Sequence, residues 1–77
     1  MEIKILGPGC PKCTKLEENV RAAVNELGIE AAVEKVTDVM EIAKAAVFVT
    51  PGLVVDGKVV SSGKLLTKDE VKALIEG

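Results

Sequence analysis

The sequence predicts an α/β fold with strands and helices in the order β-α-β-α-β-β-α. Three observations predict it. A short apolar run, Ile3 to Leu6, leads through a Gly-Pro-Gly turn into a long amphipathic stretch. Asp56-Gly57 stands between two runs of β-branched residues, which is the strongest short-range signal of a β-hairpin. Thr67 to Glu70 has the pattern of a capping box before a last apolar stripe. These elements predict a four-stranded mixed sheet flanked by helices.

The first helix is predicted to run from Pro11 to Leu27. Its apolar residues recur at helical spacing: Leu16, Val20, Ala23, Val24 and Leu27. Gly28 is typical of the residue that ends a helix in a left-handed conformation. Pro11 suits the first helical position because its missing N–H is not needed there. This places Cys10 at the N-cap and Cys13 at the leading edge of the apolar stripe.

A second strand is predicted over Glu30 to Val36. Thr37 or Asp38 then caps a short helix that reaches about Ala45, with Glu41 in the third position of a capping box. Because a helix joins the first two strands, we expect them to be parallel, with a right-handed crossover.

The hairpin strands are predicted over Leu53 to Val55 and Lys58 to Val60, and they are antiparallel. Ser61 to Gly63 is expected to open a loop before the last helix. The hairpin valines, Val54, Val55, Val59 and Val60, are expected in the core, and so are Met40 and Phe48. The lysines of the C-terminal third, Lys58, Lys64, Lys68 and Lys72, are expected to form a solvated face.

Composition bounds the class of protein. The chain has 77 residues, which predicts one domain over 1–77, and 48% of them are apolar. Charged residues make up 29% with a net charge of -2, whereas a general nucleic-acid binder would be basic. Phe48 is the only aromatic residue, so there is no platform on which bases could stack. No apolar stretch approaches the roughly 20 residues of a membrane span. We therefore expect neither nucleic acid nor membrane as a partner.

The N-terminal residues predict where the protein works. They enter a predicted strand directly and lack the apolar region and cleavage site of a signal peptide. We therefore expect a cytoplasmic protein, and we expect it to be a monomer. Thiols are kept reduced in that compartment, so a close pair of cysteines is more often catalytic or metal-binding than structural.

Both cysteines of the chain lie in the segment Cys10-Pro11-Lys12-Cys13, between a strand, a turn and a helix. A CxxC pair at such a place presents a dithiol for reversible disulfide chemistry. The chain has no histidine that could act as a base or a metal ligand. The sequence therefore predicts a redox-active dithiol without a cofactor.

The predicted roles of the two thiols differ. At the N-cap, a Cys10 thiolate would meet the positive end of the helix dipole, the N–H groups of Lys12 and Cys13, and the Cys13 thiol. Pro11 offers no N–H, while Lys12 and Lys15 add positive charge nearby. These features are expected to lower the pKa of Cys10 into the range of roughly 3.5–7.5 found at such sites. Cys10 would then attack a partner disulfide, and Cys13 would resolve the mixed disulfide.

A soft-metal carrier is the alternative from another class. Two thiolates suffice for linear Cu(I), and heavy-metal-associated domains also hold CxxC between a strand and a helix. Those domains run β-α-β-β-α-β and end in a strand, whereas this chain is predicted to end in a helix. A zinc site is not predicted, because tetrahedral zinc needs four ligands and the chain supplies two cysteines.

The chain as a whole resembles the small thioredoxin-like redox-active disulfide proteins of archaea and bacteria, and in size it resembles a glutaredoxin. The segments that match are Gly9 to Cys13, Lys15 to Glu17, Thr50 to Val59 and Ser62 to Lys64. The resemblance implies a thioredoxin fold and a protein-disulfide oxidoreductase that acts as an electron carrier. It also implies disulfide-containing protein substrates and an electron donor of the thioredoxin-reductase type.

The resemblance implies further that Pro51 is the cis-proline of the fold and faces the dithiol. Thr50 and Pro51 would then offer backbone groups to an extended substrate segment. The chain departs from the thioredoxin and glutaredoxin patterns in three places. Gly9 replaces a tryptophan, Lys4 replaces a buried acid, and Ser61 to Leu65 replaces the Gly-Gly-x-x-Asp segment with which glutaredoxins bind glutathione.

Overall fold

The computed structural model describes residues 1–9, 11–47 and 49–76. Within them, the elements follow the predicted order β-α-β-α-β-β-α. They are β1 (Glu2–Leu6), α1 (Pro11–Leu27), β2 (Ala32–Val36), α2 (Val39–Lys44), β3 (Gly52–Val55), β4 (Lys58–Ser62) and α3 (Lys68–Glu76). Cys10, Phe48 and Gly77 lie outside the described residues, so the N-cap position of Cys10 and the core position of Phe48 stay predictions.

The four strands form one mixed sheet in the order β2-β1-β3-β4. β1 pairs with β2 in parallel and with β3 in antiparallel orientation, and Leu6 lies between Val36 and Gly52. β3 and β4 pair in antiparallel orientation. The parallel first pair and the antiparallel hairpin confirm the predicted fold class. The sheet leaves β2 and β4 as its edges.

The first helix has the bounds that its sequence predicts. Gly28 follows it with a φ of 65°, and its N–H donates to the carbonyl of Val24 at 3.1 Å. The hairpin turn is also as predicted, with φ values of 49° at Asp56 and 82° at Gly57. Two successive positive φ values are the mark of a type I′ turn. The carboxylate of Asp56 additionally accepts the N–H of Glu2 at 2.8 Å, which fastens the turn to β1.

Side chains cap the other two helices. Asp38 accepts the N–H of Met40 at 2.8 Å at the start of α2. Before α3, the predicted capping box is complete: Thr67 Oγ1 accepts the N–H of Glu70 at 3.2 Å, and the Glu70 carboxylate accepts the N–H of Thr67 at 3.0 Å. These contacts satisfy backbone donors that a helix start leaves without partners.

Each face of the sheet has its own apolar cluster. The larger cluster lies under α1 and α3 and contains Ile3, Ile5, Leu16, Val20, Ala23, Leu53, Leu66 and Val71. The smaller one lies under α2 and contains Leu6, Ile42, Val47 and Val54. Because side chains alternate along a strand, β1 contributes Ile3 and Ile5 to one face and Leu6 to the other. The start of α1 is thereby fixed against the larger cluster.

Strand boundaries differ from their predictions in two places by two residues, while β1 and β3 each begin one residue earlier than predicted. β2 begins at Ala32 rather than Glu30. The N–H of Ala32 donates to the Met1 carbonyl at 2.9 Å. β4 continues through Ser61 and Ser62, which we expected in a loop. Both serines pair with β3, beyond an irregularity in the register between Leu53 and Val54. Backbone pairing with a neighbouring strand extends β4 although its serines are weak strand formers.

Two core predictions were wrong. Met40 is exposed, because α2 has only six residues and directs Ile42 towards the sheet instead. Val59 is 39% exposed, because it lies opposite Val54 on the α2 face of an edge strand that this short helix does not cover. Val54 is buried as predicted, while the remaining two hairpin valines are half-buried against the larger cluster.

Two of the lysines that we expected on a solvated face form ion pairs that join α1 to α3. Glu26 on α1 forms ion pairs with Lys68 and with Lys72 on α3, the second at 3.3 Å. The hydrogen bond from Lys68 is the largest cause that lowers the pKa of Glu26 below its usual range. Stability from this carboxylate is present above its unfolded pKa and is lost as the pH falls. The groups are exposed, so their contribution is small.

Ala46 adopts an unfavourable backbone conformation directly after α2. Its φ is 61°, and its N–H donates to the Ala43 carbonyl at 2.9 Å, so the left-handed turn ends the helix. A side chain with a Cβ destabilises this conformation, whereas glycine adopts it readily. We expect Ala46→Gly to raise the free energy of unfolding by about 0.5–1 kcal/mol, measured by urea denaturation. Ala22→Gly inside α1 is the control and should lower it by about 1 kcal/mol; a loss in both variants would contradict the prediction.

No helix in the described part of the chain is both long enough and apolar enough to cross a membrane.

Candidate functional site

Cys13 lies in the first turn of α1 and is completely buried. It lies on the same helix face as Leu16 and Val20, whose side chains fix α1 against the sheet. The sequence predicts this position, because Cys13 begins the apolar stripe. Cys10 is outside the described residues, so the geometry of the candidate site is built here from Cys13 and its surroundings.

Three residues expected to tune the pKa of Cys10 lie on the outer surface of α1. Pro11, Lys12 and Lys15 are all exposed. The first turn of α1 contains no acidic residue. An anion at this helix start would therefore meet the positive end of the dipole and two lysines, without a carboxylate from that turn to oppose them.

The loop before β3 holds the second part of the candidate site. The Thr50–Pro51 peptide bond is cis. Pro51 is buried, and its carbonyl accepts the N–H of Gly63 at 2.9 Å. Thr50 is half-buried, and no hydrogen bond joins its backbone to another described residue. Of the two residues expected to bind substrate, Thr50 is thus the one with both a backbone donor and a backbone acceptor to offer.

Gly7 joins the two parts of the site. A Cβ atom placed on Gly7 would lie 3.1 Å from the Cβ of Cys13 and 3.8 Å from the Cβ of Thr50, and it would overlap the sulfur of Cys13. The structure therefore brings Cys13 and Thr50 to the same point at the end of β1, although 37 positions separate them in the chain. We did not single out Gly7 from the sequence, where it is one residue of a turn.

An apolar groove begins beside this point. It has a volume of about 260 Å³ and is lined by Pro8, Val39, Ile42, Ala43, Val47 and Thr50. Val39 is 67% exposed at its edge. The groove thus extends from the Thr50 loop along the side of α2 that carries Val39 and Ile42, and an extended chain that contacts Thr50 can also contact these apolar side chains.

A larger groove of about 480 Å³ lies between β4 and α3. Its lining includes Val60, Leu66 and Leu74, but neither Cys13 nor Thr50 nor Pro51. This groove is the larger of the two. The smaller one is nonetheless the better candidate for substrate binding, because its lining includes Thr50, which lies beside Gly7 together with Cys13.

Lys4, for which the resemblance implies the place of a buried acid, lies on the α2 face of β1 beside Leu6. Its ammonium group is 3.5 Å from the Glu2 carboxylate, and both side chains reach solvent. In the described residues no charged side chain is buried. Those residues thus provide no internal carboxylate next to Cys13.

The described residues contain no cluster of three or more cysteine, aspartate or glutamate side chains that could hold a metal ion. The described elements follow the order β-α-β-α-β-β-α, which differs from the β-α-β-β-α-β order of the heavy-metal-associated domains. No observation in the described structure favours the Cu(I) carrier over redox chemistry.

Comparison with known proteins identifies the family. A family model described as thioredoxin domain matches residues 1–76. The chain belongs to the thioredoxin family. Among curated proteins, a thioredoxin of Methanocaldococcus jannaschii is 52% identical over 79 residues, covering 97% of this chain and 91% of that protein. A thioredoxin of Methanothermobacter thermautotrophicus is 43% identical over 75 residues, covering 97% of both chains.

Membership of the thioredoxin family confirms the predicted activity. The chain is a thiol–disulfide oxidoreductase, and disulfide-containing proteins and a reductase are the general partners of such a protein. The family also agrees with the observed mixed sheet and its flanking helices. Family membership does not assign roles to individual residues. The geometry at Cys13, Gly7 and Thr50 is the observation that bears on those roles.

Proposed function

We propose that Cys10 and Cys13 are the catalytic dithiol of this oxidoreductase, with Cys10 attacking and Cys13 resolving. The observation that supports it best is the burial of Cys13 at the start of α1, against Gly7 and near Thr50. A buried thiol is poorly placed to meet a large substrate first. The cysteine before the helix is therefore the one that attacks, in agreement with its position in the CxxC motif.

The reaction has two exchange steps. The Cys10 thiolate attacks one sulfur of the substrate disulfide, forming a mixed disulfide and releasing the first substrate thiolate. Cys13 then attacks the Cys10 sulfur, the mixed disulfide breaks, and the second substrate thiolate leaves. The substrate gains two electrons, and the chain is left with a Cys10–Cys13 disulfide. A reductase of the thioredoxin-reductase type would return the two electrons.

The start of α1 supports the first step. Pro11 opens the helix without an N–H, so the donors for a Cys10 thiolate are the N–H groups of Lys12 and Cys13. Lys12 and Lys15 are exposed on the same part of α1, where their charge favours an anion. These features stabilise Cys10 as a thiolate and so raise the fraction of molecules ready to attack.

The proton of Cys13 must leave during the second step. In the described part of the chain no carboxylate is buried that could accept it, and Lys4 occupies the position of the usual acid. We infer that the departing substrate thiolate or water takes this proton. The proton transfer then needs no internal carboxylate.

The substrate segment is proposed to bind beside Thr50 and Pro51. The N–H and carbonyl of Thr50 would pair with an extended chain, as in the addition of a strand. The carbonyl of Pro51 is already bonded to Gly63, so its part is to hold the loop. Apolar side chains that flank the substrate disulfide would contact the groove that contains Val39 and Val47.

The remaining features of the proposal concern the whole protein. We propose that it works in the cytoplasm as a monomer, with residues 1–77 forming one domain, and that it needs no cofactor, membrane or nucleic acid. Its near-neutral charge balance and its single aromatic residue support the part of this proposal that concerns nucleic acid.

A redox titration tests the dithiol directly. The protein is equilibrated in a series of dithiothreitol buffers, followed by more oxidising glutathione buffers, quenched with acid and alkylated, and its mass is measured. We expect both alkyl groups to be lost together in one transition, between about -270 and -120 mV, the span of known thioredoxin-fold couples. If no intramolecular disulfide forms at any ratio, the proposed dithiol is wrong.

A further inference from the structure

Gly7 has a fixed place at the end of the central strand. It follows Leu6 directly, it is buried, and its N–H donates to the carbonyl of Val36 at 2.9 Å. β1 is itself paired on both sides. The backbone of Gly7 is therefore attached to the sheet and cannot move away from α1 without loss of sheet pairing.

The missing side chain of Gly7 leaves the space that Cys13 occupies. A Cβ at this position would overlap the Cys13 sulfur and come within 3.1 Å of the Cys13 Cβ. Rotation about χ1 could move the sulfur, but the Cβ of Cys13 would stay crowded. On another side the Thr50 Cβ would be 3.8 Å away, at ordinary contact distance. Any other residue here would therefore displace Cys13 or the first turn of α1.

The helix has little freedom to accommodate such a displacement. Leu16 and Val20 follow Cys13 on the same face, and both are completely buried in the larger cluster. Cores are packed at the density of organic crystals, so a shift of α1 by even a fraction of an ångström is resisted. A Cβ at Gly7 would therefore displace the Cys13 sulfur rather than the helix.

We propose that Gly7 is a positioning residue for Cys13, and that it sets the rate at which the mixed disulfide is resolved. The inference rests on the proposed function. In the resolving step the bond between the Cys10 and Cys13 sulfurs forms while the bond from Cys10 to the substrate sulfur breaks. Both sulfurs must reach disulfide geometry, which tolerates little deviation. The first attack, by Cys10, forms no bond to the Cys13 sulfur, so it depends on Gly7 much less than the resolving step does.

Two-phase reaction with an aromatic disulfide separates these steps. The reduced protein is mixed with one equivalent of 5,5′-dithiobis(2-nitrobenzoate), so that no reagent is left to modify Cys13 directly, and release of the coloured thiolate is followed. The first equivalent reports attack by Cys10, and the second reports resolution by Cys13. For Gly7→Ala we expect a first phase close to that of the unchanged protein and a second phase slower by roughly 10- to 100-fold, since small misplacements of reacting atoms cost rate on that scale.

Val54→Ala is the control. It removes buried volume from the smaller cluster, on the sheet face that α1 does not contact, and adds no atom near the sulfur. We expect both phases to match those of the unchanged protein. An unaltered second phase in Gly7→Ala, or an equal slowing in Val54→Ala, would overturn the role of Gly7. If the unchanged protein releases only one equivalent of the coloured thiolate, the proposed function fails instead.

A double-mutant cycle covers the case in which Gly7→Ala does not fold. Cys13→Ala removes the sulfur that the new methyl group would overlap. We expect Gly7→Ala to destabilise the protein much less in the Cys13→Ala background, or to fold there if it does not fold alone. Equal destabilisation in both backgrounds would show that Gly7 does not make room for the sulfur.

Discussion

Cys10→Ser is expected to lose disulfide reduction almost completely, by roughly 100-fold or more relative to the unchanged protein. A serine hydroxyl is not ionised at neutral pH and does not attack disulfide sulfur, and the buried Cys13 is poorly placed to replace it. Turbidity of insulin solutions with dithiothreitol as the reductant measures the rate. Activity near that of the unchanged protein would exclude Cys10 as the attacking thiol.

Cys13→Ser is the informative partner of that variant, because it should stop the reaction at a different point. Attack by Cys10 remains, but no second thiol is present to release the substrate. We expect a covalent adduct between the chain and a substrate cysteine, seen as an added mass that reductant removes. The double variant, with both cysteines replaced, is the control and should show no adduct. Turnover by Cys13→Ser without an adduct would mean that the two thiols do not share the reaction in this way.

The parts of the fold that local sequence determines were predicted well. α1 has the predicted bounds, because Pro11 and Gly28 mark its two ends and a continuous apolar stripe lies between them. The Asp56-Gly57 turn and the box from Thr67 to Glu70 are as predicted for the same reason. In each case, residues close together in the chain satisfy one another's backbone groups.

The errors lie where distant parts of the chain decide the structure. Six residues are too few to show which side of α2 faces the sheet, so Met40 was placed in the core. The exposure of Val59 depends on how far α2 extends over β4. The pairing of Glu26 with Lys68 joins helices more than 40 positions apart. None of these contacts has a local pattern from which it could be predicted.

The candidate site shows the same division. The sequence alone identifies the cysteine pair, and the resemblance adds Thr50 and Pro51. The contact of Gly7 with Cys13 could not be predicted, because a glycine after a strand is ordinarily a turn residue and Gly9 nearby has the positive φ typical of one. The groove along α2 was missed because Val39 and its neighbours have no motif. Gly7 is identified by its contact with Cys13 in three dimensions, and the groove by the presence of Thr50 in its lining.

The largest expected effect on stability comes from Leu53. It lies on β3 in the middle of the sheet, opposite Ile5 on one side and Ser61 on the other, and its side chain is completely buried among α1 and α3 residues. Truncation to alanine leaves a cavity that the surrounding strands cannot close, at a cost of about 2–5 kcal/mol. The stability of a small domain is at the low end of about 5–15 kcal/mol. We therefore expect Leu53→Ala to be partly unfolded at 37 °C, measured by thermal and urea denaturation followed by circular dichroism.

Val59→Ala in the adjacent strand is the control for that measurement. It removes an apolar side chain from the same hairpin, but one that is exposed on the opposite face, so we expect a change within about 0.5 kcal/mol, as for other surface substitutions. A large loss at Val59 would mean that α2 covers more of β4 than the structure shows. A small loss at Leu53 would contradict the larger cluster as the main core, and with it the rigid support that holds Cys13 against Gly7.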